Sequence, residues 1–289
     1  MQLATLRTAD GTTTAVAVDG GYLPVDAPDV GSLLATAGWR ELVSAAREAE
    51  AGSAVVPVAQ ASLAPVVTRP GKVICCGLNY ADHILEMGRE LPEHPTLFAK
   101  FADSLTGAQD PISVRGSGKV DWEAELAVVV GSELSHADES EAAAAIAGYC
   151  VANDVSMRDW QHRTLQWLQG KAFDASTPLG PVLSTADEFD ADPAFAVRGY
   201  VNGELVQSGN TATLVFGPAR LLSYISAFTT LRPGDVVLTG TPGGVGAGME
   251  PPRFLSDGDT LTTEIDGLGR LENTVALVPA PATPAAARA

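Results

Sequence analysis

VDWEAELAVVVG runs from Val120 to Gly131. Its tail, Leu126 to Val130, is solidly apolar and reads as a buried strand. Glu123 and Glu125 stand at its head, and on a strand positions i and i+2 point to one side. Two like charges side by side repel and raise each other's pKa. At an exposed strand end this costs little, and a solvated face would account for the pair. Three features oppose that reading. Trp122 and Leu126 flank the glutamates, which implies a half-buried segment. A second apolar run, GYCVANDVS (148–156), brings Asp154 to the same kind of apolar-to-polar boundary. A hard divalent cation also takes several oxygen ligands from few carboxylates and keeps some positions for water or substrate. Glu123, Glu125 and Asp154 are therefore candidate metal ligands, while spacing alone leaves the solvated face open.

Working outward, residues 1–65 read as a small N-terminal α+β domain. Short alternating runs come first, then a helical stretch, SLLATAGWRELVSAAREAEAG (32–52). The Pro-rich run VVPVAQASLAPVVTRPGK (55–72) is an extended linker. The main domain, 66–278, opens on the buried strand KVICCGLNY (72–80). A short helix over NYADHILEMGRE (79–90), a strand over TLFAKF (96–101) and an Ala-rich helix over ADESEAAAAIAG (137–148) follow. VRGYVNGELVQSGNT (197–211) is a hairpin with Asn202-Gly203 at its turn. GPARLLSYISAFTTLRPGD (217–235) is a helix closed by Pro-Gly, and TLTTEIDGLGRLENTVAL (260–277) is a second hairpin. The tail, 279–289, is low in complexity and expected to be disordered. Strands dominate and helices are interspersed without a regular βαβ beat, so the fold class is α+β with a mixed or mostly antiparallel sheet. The Gly-rich LTGTPGGVG (238–246) lacks the GxxxxGK[ST] pattern of a phosphate loop. A turn with close backbone approach fits it as well as a ligand contact does.

The 289 residues carry a net charge of −17, with 46% hydrophobic and 18% charged residues. This is the profile of a globular protein with a sizeable core. Strong negative charge disfavours nucleic acid and anionic membrane as partners. It leaves anionic substrates open, because a cation in a cleft inverts the local field. No apolar run reaches the ~18 residues of a membrane span, and the N-terminus lacks the pattern of a secretory signal. Cys75, Cys76 and Cys150 read as buried thiols, which fits the cytoplasm.

The ordered pieces GLNYADHILEMG, DWEAELAVVVG, NDVSMRDWQ, GKAFDASTPLGP, VNGELVQSGNT and LRPGDVVLTGTPGGVG together resemble the fumarylacetoacetate hydrolase superfamily over about residues 70–275. The resemblance implies a mixed β-sandwich roll as catalytic domain, a homodimer, and Mg²⁺ (or Mn²⁺) in the cleft. It matches Glu123, Glu125 and Asp154 to the family's metal ligands. His83 and Glu86, at i and i+3 on one helix face, would by themselves be a surface contact. The family uses this His-x-x-Glu pair, on a segment that closes over substrate, to activate water, a task that suits a neutral imidazole. Lys171, one of only four lysines, would otherwise be a snorkelling surface residue. The resemblance places it beside the metal, facing the substrate's developing oxyanion. It matches Gln161 and Thr241 to substrate contacts and gives Arg158 a supporting part only. Phe101 and Asp103 depart from the family pattern.

The expected reaction is metal-dependent hydrolysis of a carbon–carbon bond in an acylpyruvate, with a fumarylpyruvate-like 2,4-dioxo acid as substrate. Alternatives on the same enolate chemistry are oxaloacetate decarboxylation, hydroxymuconate-type isomerisation or decarboxylation, and 2-oxo-4-pentenoate hydration.

Overall fold

The computed structural model describes residues 1–48, 55–86, 88–190 and 193–278. The tail expected to be disordered, 279–289, lies outside the described residues. The chain opens with strands β1 (Gln2–Thr8), β2 (Gly11–Val18) and β3 (Gly21–Val25), helices α1 (Val30–Leu34) and α2 (Trp39–Glu48), and a short strand β4 (Val56–Pro57). Next come β5 (Val73–Gly77), α3 (Ala81–Glu86), β6 (Thr96–Lys100), β7 (Leu105–Thr106), β8 (Ile112–Arg115), β9 (Val120–Asp121) and β10 (Ala124–Val130). Beyond them lie α4 (Glu139–Ala144), β11 (Ile146–Asn153), β12 (Ser156–Met157), α5 (Arg158–Gln161), α6 (Leu168–Lys171) and β13 (Thr177–Thr185). The last elements are β14 (Ala196–Val201), β15 (Glu204–Asn210), α7 (Pro218–Ser226), β16 (Val236–Leu238), β17 (Thr260–Ile265) and β18 (Gly269–Val278).

One large sheet runs β4-β3-β2-β1-β13-β11-β10-β16-β5-β6, with β7 beside β13. A second sheet runs β15-β14-β17-β18-β8, and β9 pairs β12. Most pairs are antiparallel, while β5–β16, β7–β13 and β8–β18 are parallel. The fold is thus the α+β, mixed-sheet architecture expected. The N-terminal strands extend the large sheet, since Leu3 of β1 pairs Leu183 of β13.

β10 is buried along its whole length. Its side chains alternate between two cores, as a strand with period two must. Leu126, Val128 and Val130 join one core with Val197, Ile265 and Leu271 of the second sheet. Ala127 and Val129 join the other with Leu3, Val16 and Leu33 of the N-terminal region. This two-sided burial explains the unbroken apolar run and holds the strand rigidly.

The helical stretch expected over 32–52 is divided into α1 and α2, with Gly38 in the left-handed region at φ +69 between them. Residues 49–52 of that stretch lie outside the described residues. α4 is shorter than expected, because from Ile146 the chain pairs with β10 instead. Asn202, at φ +53, and Gly203 form the hairpin turn between β14 and β15.

Candidate functional site

The antiparallel register of β10 on β11 places Ala124 opposite Asn153 and Glu125 opposite Ala152. The head of β10 and the end of β11 therefore lie at one edge, and Glu123, Glu125 and Asp154 converge there. One carboxylate oxygen from each lies within 4.8 Å of the others, and all three residues are buried. Glu123 is not on a strand, as the i, i+2 spacing suggested. It sits in the break between β9 and β10, where the Glu123 N–H donates to Asn153 Oδ1 (3.0 Å) and the Ala124 N–H donates to Gln207 Oε1 (2.9 Å). These side-chain acceptors stand in for ladder bonds, so the backbone can leave the sheet without stranding a buried donor.

Three cations hold the acids. Lys171 Nζ donates to Glu123 Oε2 (2.7 Å) and to Asp154 Oδ2 (2.8 Å). Lys100 Nζ donates to Asp154 Oδ1 (2.5 Å). Arg158 spans three groups: Nη2 pairs with Glu123 Oε1 (2.7 Å), Nε donates to Asp121 Oδ2 (2.8 Å) and Nη1 donates to Gln161 Oε1 (2.8 Å). Asp121 also accepts the Gly246 and Ala247 N–H groups, which ties this cluster to the Gly-rich loop.

Glu125 is the odd member. Its Oε2 accepts the Gly240 N–H at 2.8 Å, and it has no ion pair among the described residues. Burial first, then Asp154 and Glu123, push its carboxyl well above the usual carboxylate range. Burial also pushes Asp154 up, but Lys100 and Lys171 outweigh it and hold that carboxyl low. Burial disfavours the Lys171 ammonium, yet Asp154 and Glu123 more than compensate, so Lys171 stays a cation. Four carboxyls, Asp121, Glu123, Glu125 and Asp154, face three cations, Lys100, Arg158 and Lys171, so an ionised Glu125 would be one negative charge in excess, an imbalance that its raised pKa reflects. A hard divalent cation on the three carboxylates would relieve it, and all-oxygen donors suit Mg²⁺ or Mn²⁺. The residues present fit such an ion.

The triad opens on a cavity of about 430 Å³ whose lining includes Glu123, Glu125, Gln161, Lys171, His83 and Thr241. Close backbone approach brings α5 and α6 together: a Cβ on Gly170 would lie 2.5 Å from the Gln161 nitrogen. This places Gln161 and Lys171 side by side. Gln161 is buried, and its carbonyl is taken by Arg158. Thr241 uses its hydroxyl within the fold, donating to the Ala124 carbonyl (2.9 Å) and accepting from Gln207 Nε2 (2.8 Å). Trp167 packs edge-on to Phe98 at 5.5 Å and forms an apolar wall.

His83 and Glu86 share a face of α3, beside Gly243. His83 borders the main cavity and a neighbouring one, whereas Glu86 is exposed and borders only the neighbour. They form no hydrogen bond to each other. The Gly-rich loop owes its glycines to close approach: at Gly244, φ +98, a Cβ would lie 2.1 Å from the Val206 carbonyl oxygen. Lys100 and Asp121 are the members that sequence reasoning missed. The available signal for Lys100 was a rare lysine closing an apolar strand.

Residues 72–276 match the family described as fumarylacetoacetate (FAA) hydrolase C-terminal. The chain is 47% identical over 237 residues to the oxaloacetate tautomerase Fahd2a, mitochondrial, of Rattus norvegicus, covering 81% of this chain and 75% of that one. It is similar to the solved fumarylacetoacetate hydrolase of Exiguobacterium antarcticum, with 32% identity, TM-score 0.83, and coverage of 96% and 100%. It is also similar to the maleylpyruvate hydrolase of Sphingobium sp. SYK-6, with 27% identity, TM-score 0.80, and coverage of 96% and 100%. Among the described residues no helix is long and apolar enough to cross a membrane.

Proposed function

The chain belongs to the fumarylacetoacetate hydrolase family, whose members are enzymes, and on that ground we propose that it is a divalent-metal-dependent enzyme that interconverts the keto and enol forms of oxaloacetate. The observation that carries this is Lys171, kept protonated in full burial between Glu123 and Asp154 at the wall of the cavity. A fixed buried cation at this point stabilises the negative charge of an enolate as it develops, and it needs no reorganisation to do so. Glu123, Glu125 and Asp154 would hold Mg²⁺ or Mn²⁺, which when bound supplies Lewis-acid charge to the substrate's 2-oxo acid end.

The chain's own groups do the rest. Arg158 fixes the orientation of Glu123 through a second bond to Asp121. It also takes the Gln161 carbonyl, so that side chain presents its NH₂ as a donor to substrate. His83 is the base that removes the C3 proton of the keto form and delivers it to the C2 oxygen of the enolate to give the enol, and in the reverse direction it takes the enol proton and returns it to C3. Trp167 and Phe98 exclude water from one side of the cavity. The choice of oxaloacetate rests on the rat relative, and the choice of tautomerisation rests on Glu86 standing outside the main cavity. The buried free thiols are consistent with a reducing compartment such as the cytoplasm.

A second reading keeps the sequence expectation of acylpyruvate hydrolysis. The adjacency of His83 and Glu86 beside Gly243 favours it, because a closing movement of α3 would bring a His–Glu base to a water. The solved relatives named as hydrolases fit it too.

One panel separates the readings. The protein with Mg²⁺, or with EDTA, is given enol-oxaloacetate, fumarylpyruvate and acetylpyruvate. Accelerated loss of the enol absorbance, without pyruvate, supports tautomerisation. Pyruvate with the matching acid from an acylpyruvate, and no acceleration of ketonisation, replaces it with hydrolysis. Pyruvate and CO₂ from oxaloacetate would make the enzyme a decarboxylase.

A further inference from the structure

Among the described residues, the cavity contains one arginine or lysine that no carboxylate pairs with. Arg89 lines it together with Glu123, Glu125 and Lys171. Lys171 and Arg158 are bound to buried acids, and Lys100 is spent on Asp154. The Arg89 guanidinium has no ion pair or hydrogen bond among the described residues. Asp82, Glu86, Glu90 and Glu93 lie close in sequence and are exposed, yet none pairs with it.

Its backbone is tied to the end of α3. Past the end of α3, the Gly88 N–H donates to the Leu85 carbonyl (2.9 Å), the Arg89 N–H donates to the Ile84 carbonyl (3.2 Å), and Gly88 takes φ +68. Ile84 is buried beneath this turn. His83 on α3 and Arg89, bonded back to that helix through its N–H, therefore border one cavity. The guanidinium is a planar fork of donors that matches a carboxylate in two bonds, and it stays charged at any working pH. In a chain with a net charge of −17, an unpaired arginine at a cavity wall is the feature that would draw an anionic group there.

We propose that Arg89 is a specificity-determining residue that binds the far carboxylate of a dicarboxylic 2-oxo acid whose near end lies at Glu123, Glu125 and Asp154. The proposal rests on the proposed function for the placement of that near end. It adds what the triad alone cannot give, which is discrimination between dicarboxylic and monocarboxylic 2-oxo acids.

The test compares the full-length protein, loaded with Mg²⁺, with Arg89→Gln and Arg89→Lys. Calorimetric titration uses 2-oxoglutarate and 2-oxopentanoate, which share a chain length and differ in the far carboxylate. Steady-state rates use oxaloacetate. Removing a charged hydrogen-bonding partner should weaken 2-oxoglutarate binding and raise KM for oxaloacetate by about tenfold or more. It should leave kcat and 2-oxopentanoate binding within about twofold, as loss of uniform binding requires. Arg89→Lys should recover part of the loss. Equal weakening of both oxo acids, or no weakening of either, overturns the proposal. If the wild type does not act on oxaloacetate but the calorimetric difference persists, the reaction falls and the carboxylate subsite stands. If oxaloacetate is turned over and Arg89→Gln changes nothing, the subsite falls and the reaction stands.

Discussion

Lys100 and Asp154 form an ion pair with neither side chain exposed, bridging the end of β6 to the end of β11. Lys171 takes the other oxygen of Asp154, so one carboxylate holds two buried ammonium groups. Removing one partner of a buried pair leaves the other uncompensated. Lys100→Met should therefore lower the unfolding free energy by about 3 kcal/mol, read from urea denaturation. Adding Asp154→Asn should give less than the sum of the single losses, because the two residues share one interaction. A loss under about 0.5 kcal/mol would place the pair among surface ion pairs of little worth and undo the assignment.

Glu125 shows the opposite imbalance, being a buried carboxylate with one backbone donor and no cation. Glu125→Gln should leave the metal-free protein at least as stable as the wild type, since the ionised carboxyl is already disfavoured here and Gln keeps a neutral group of the same shape. It should also abolish the rise in Tm that Mg²⁺ or Mn²⁺ produces by binding only the folded state. Its pH dependence has a definite sign. Burial, then Asp154 and Glu123, raise the folded-state pKa above the ordinary 4.5. The folded state therefore holds a proton that the unfolded chain releases, and metal-free stability falls as pH rises above 4.5. Metal affinity should climb over the same range as ion and proton compete. Thermal scans of wild type and variant with and without EDTA check both trends. A metal-induced shift that survives in Glu125→Gln would remove Glu125 from the ligand set.

Much of this site is legible in the chain because its parts are local. The apolar run Leu126–Val130 fixes a strand, GYCVANDVS fixes its neighbour, and an antiparallel pairing of the two brings the acids together. The Asn202-Gly203 hairpin and the buried cysteines are equally local signals. What was not legible depends on long-range closure. Lys100 meets Asp154 across 54 positions of sequence, and Arg158 reaches back 37 to Asp121. The break at Glu123 was hidden because the acceptors that permit it, Asn153 and Gln207, lie on other strands. The continuity of β1–β4 with the large sheet was likewise unreadable, because the β1–β13 pairing spans most of the chain.

Gly244 tests whether the Gly-rich loop is a close-approach turn. Its carbonyl accepts the Trp122 indole N–H at 3.1 Å, and a Cβ would lie 2.1 Å from the Val206 carbonyl oxygen at a positive φ. Backbone on both sides cannot yield as a flexible side chain can. Gly244→Ala should destabilise by about 3 kcal/mol or more, as clash and left-handed strain act together. It should also shift Trp122 fluorescence, since the indole loses its acceptor. Gly203→Ala is the control: φ is also positive, but nothing lies within 4 Å, so only about 1–2 kcal/mol is expected. Equal losses in both variants would show that close approach contributes nothing.

Asp29 joins α1 to the segment at Thr68 that leads into β5 and offers a test far from the cavity. Its Oδ1 accepts the Ser32 N–H (2.7 Å) and so caps α1, while Oδ2 accepts the Thr68 N–H (2.8 Å) and hydroxyl (2.6 Å). Burial alone would raise its carboxyl, but the bonds from Ser32 and Thr68 prevail and hold it below the ordinary 3.8. A depressed folded-state pKa contributes stability that is present above the unfolded value and lost as pH falls through the folded one. Asp29→Ala should lower stability by about 1–2 kcal/mol at neutral pH, the range for losing a helix cap. The difference from wild type should shrink as pH drops below 3.8, because the wild-type carboxylate is then protonated as well. Asp29→Asn keeps an acceptor oxygen and should lose less. Urea unfolding across a pH series reads all three proteins. A wild-type advantage that stays constant down to the acid limit would mean that the charge of Asp29 contributes nothing, and that neutral packing alone joins α1 to Thr68.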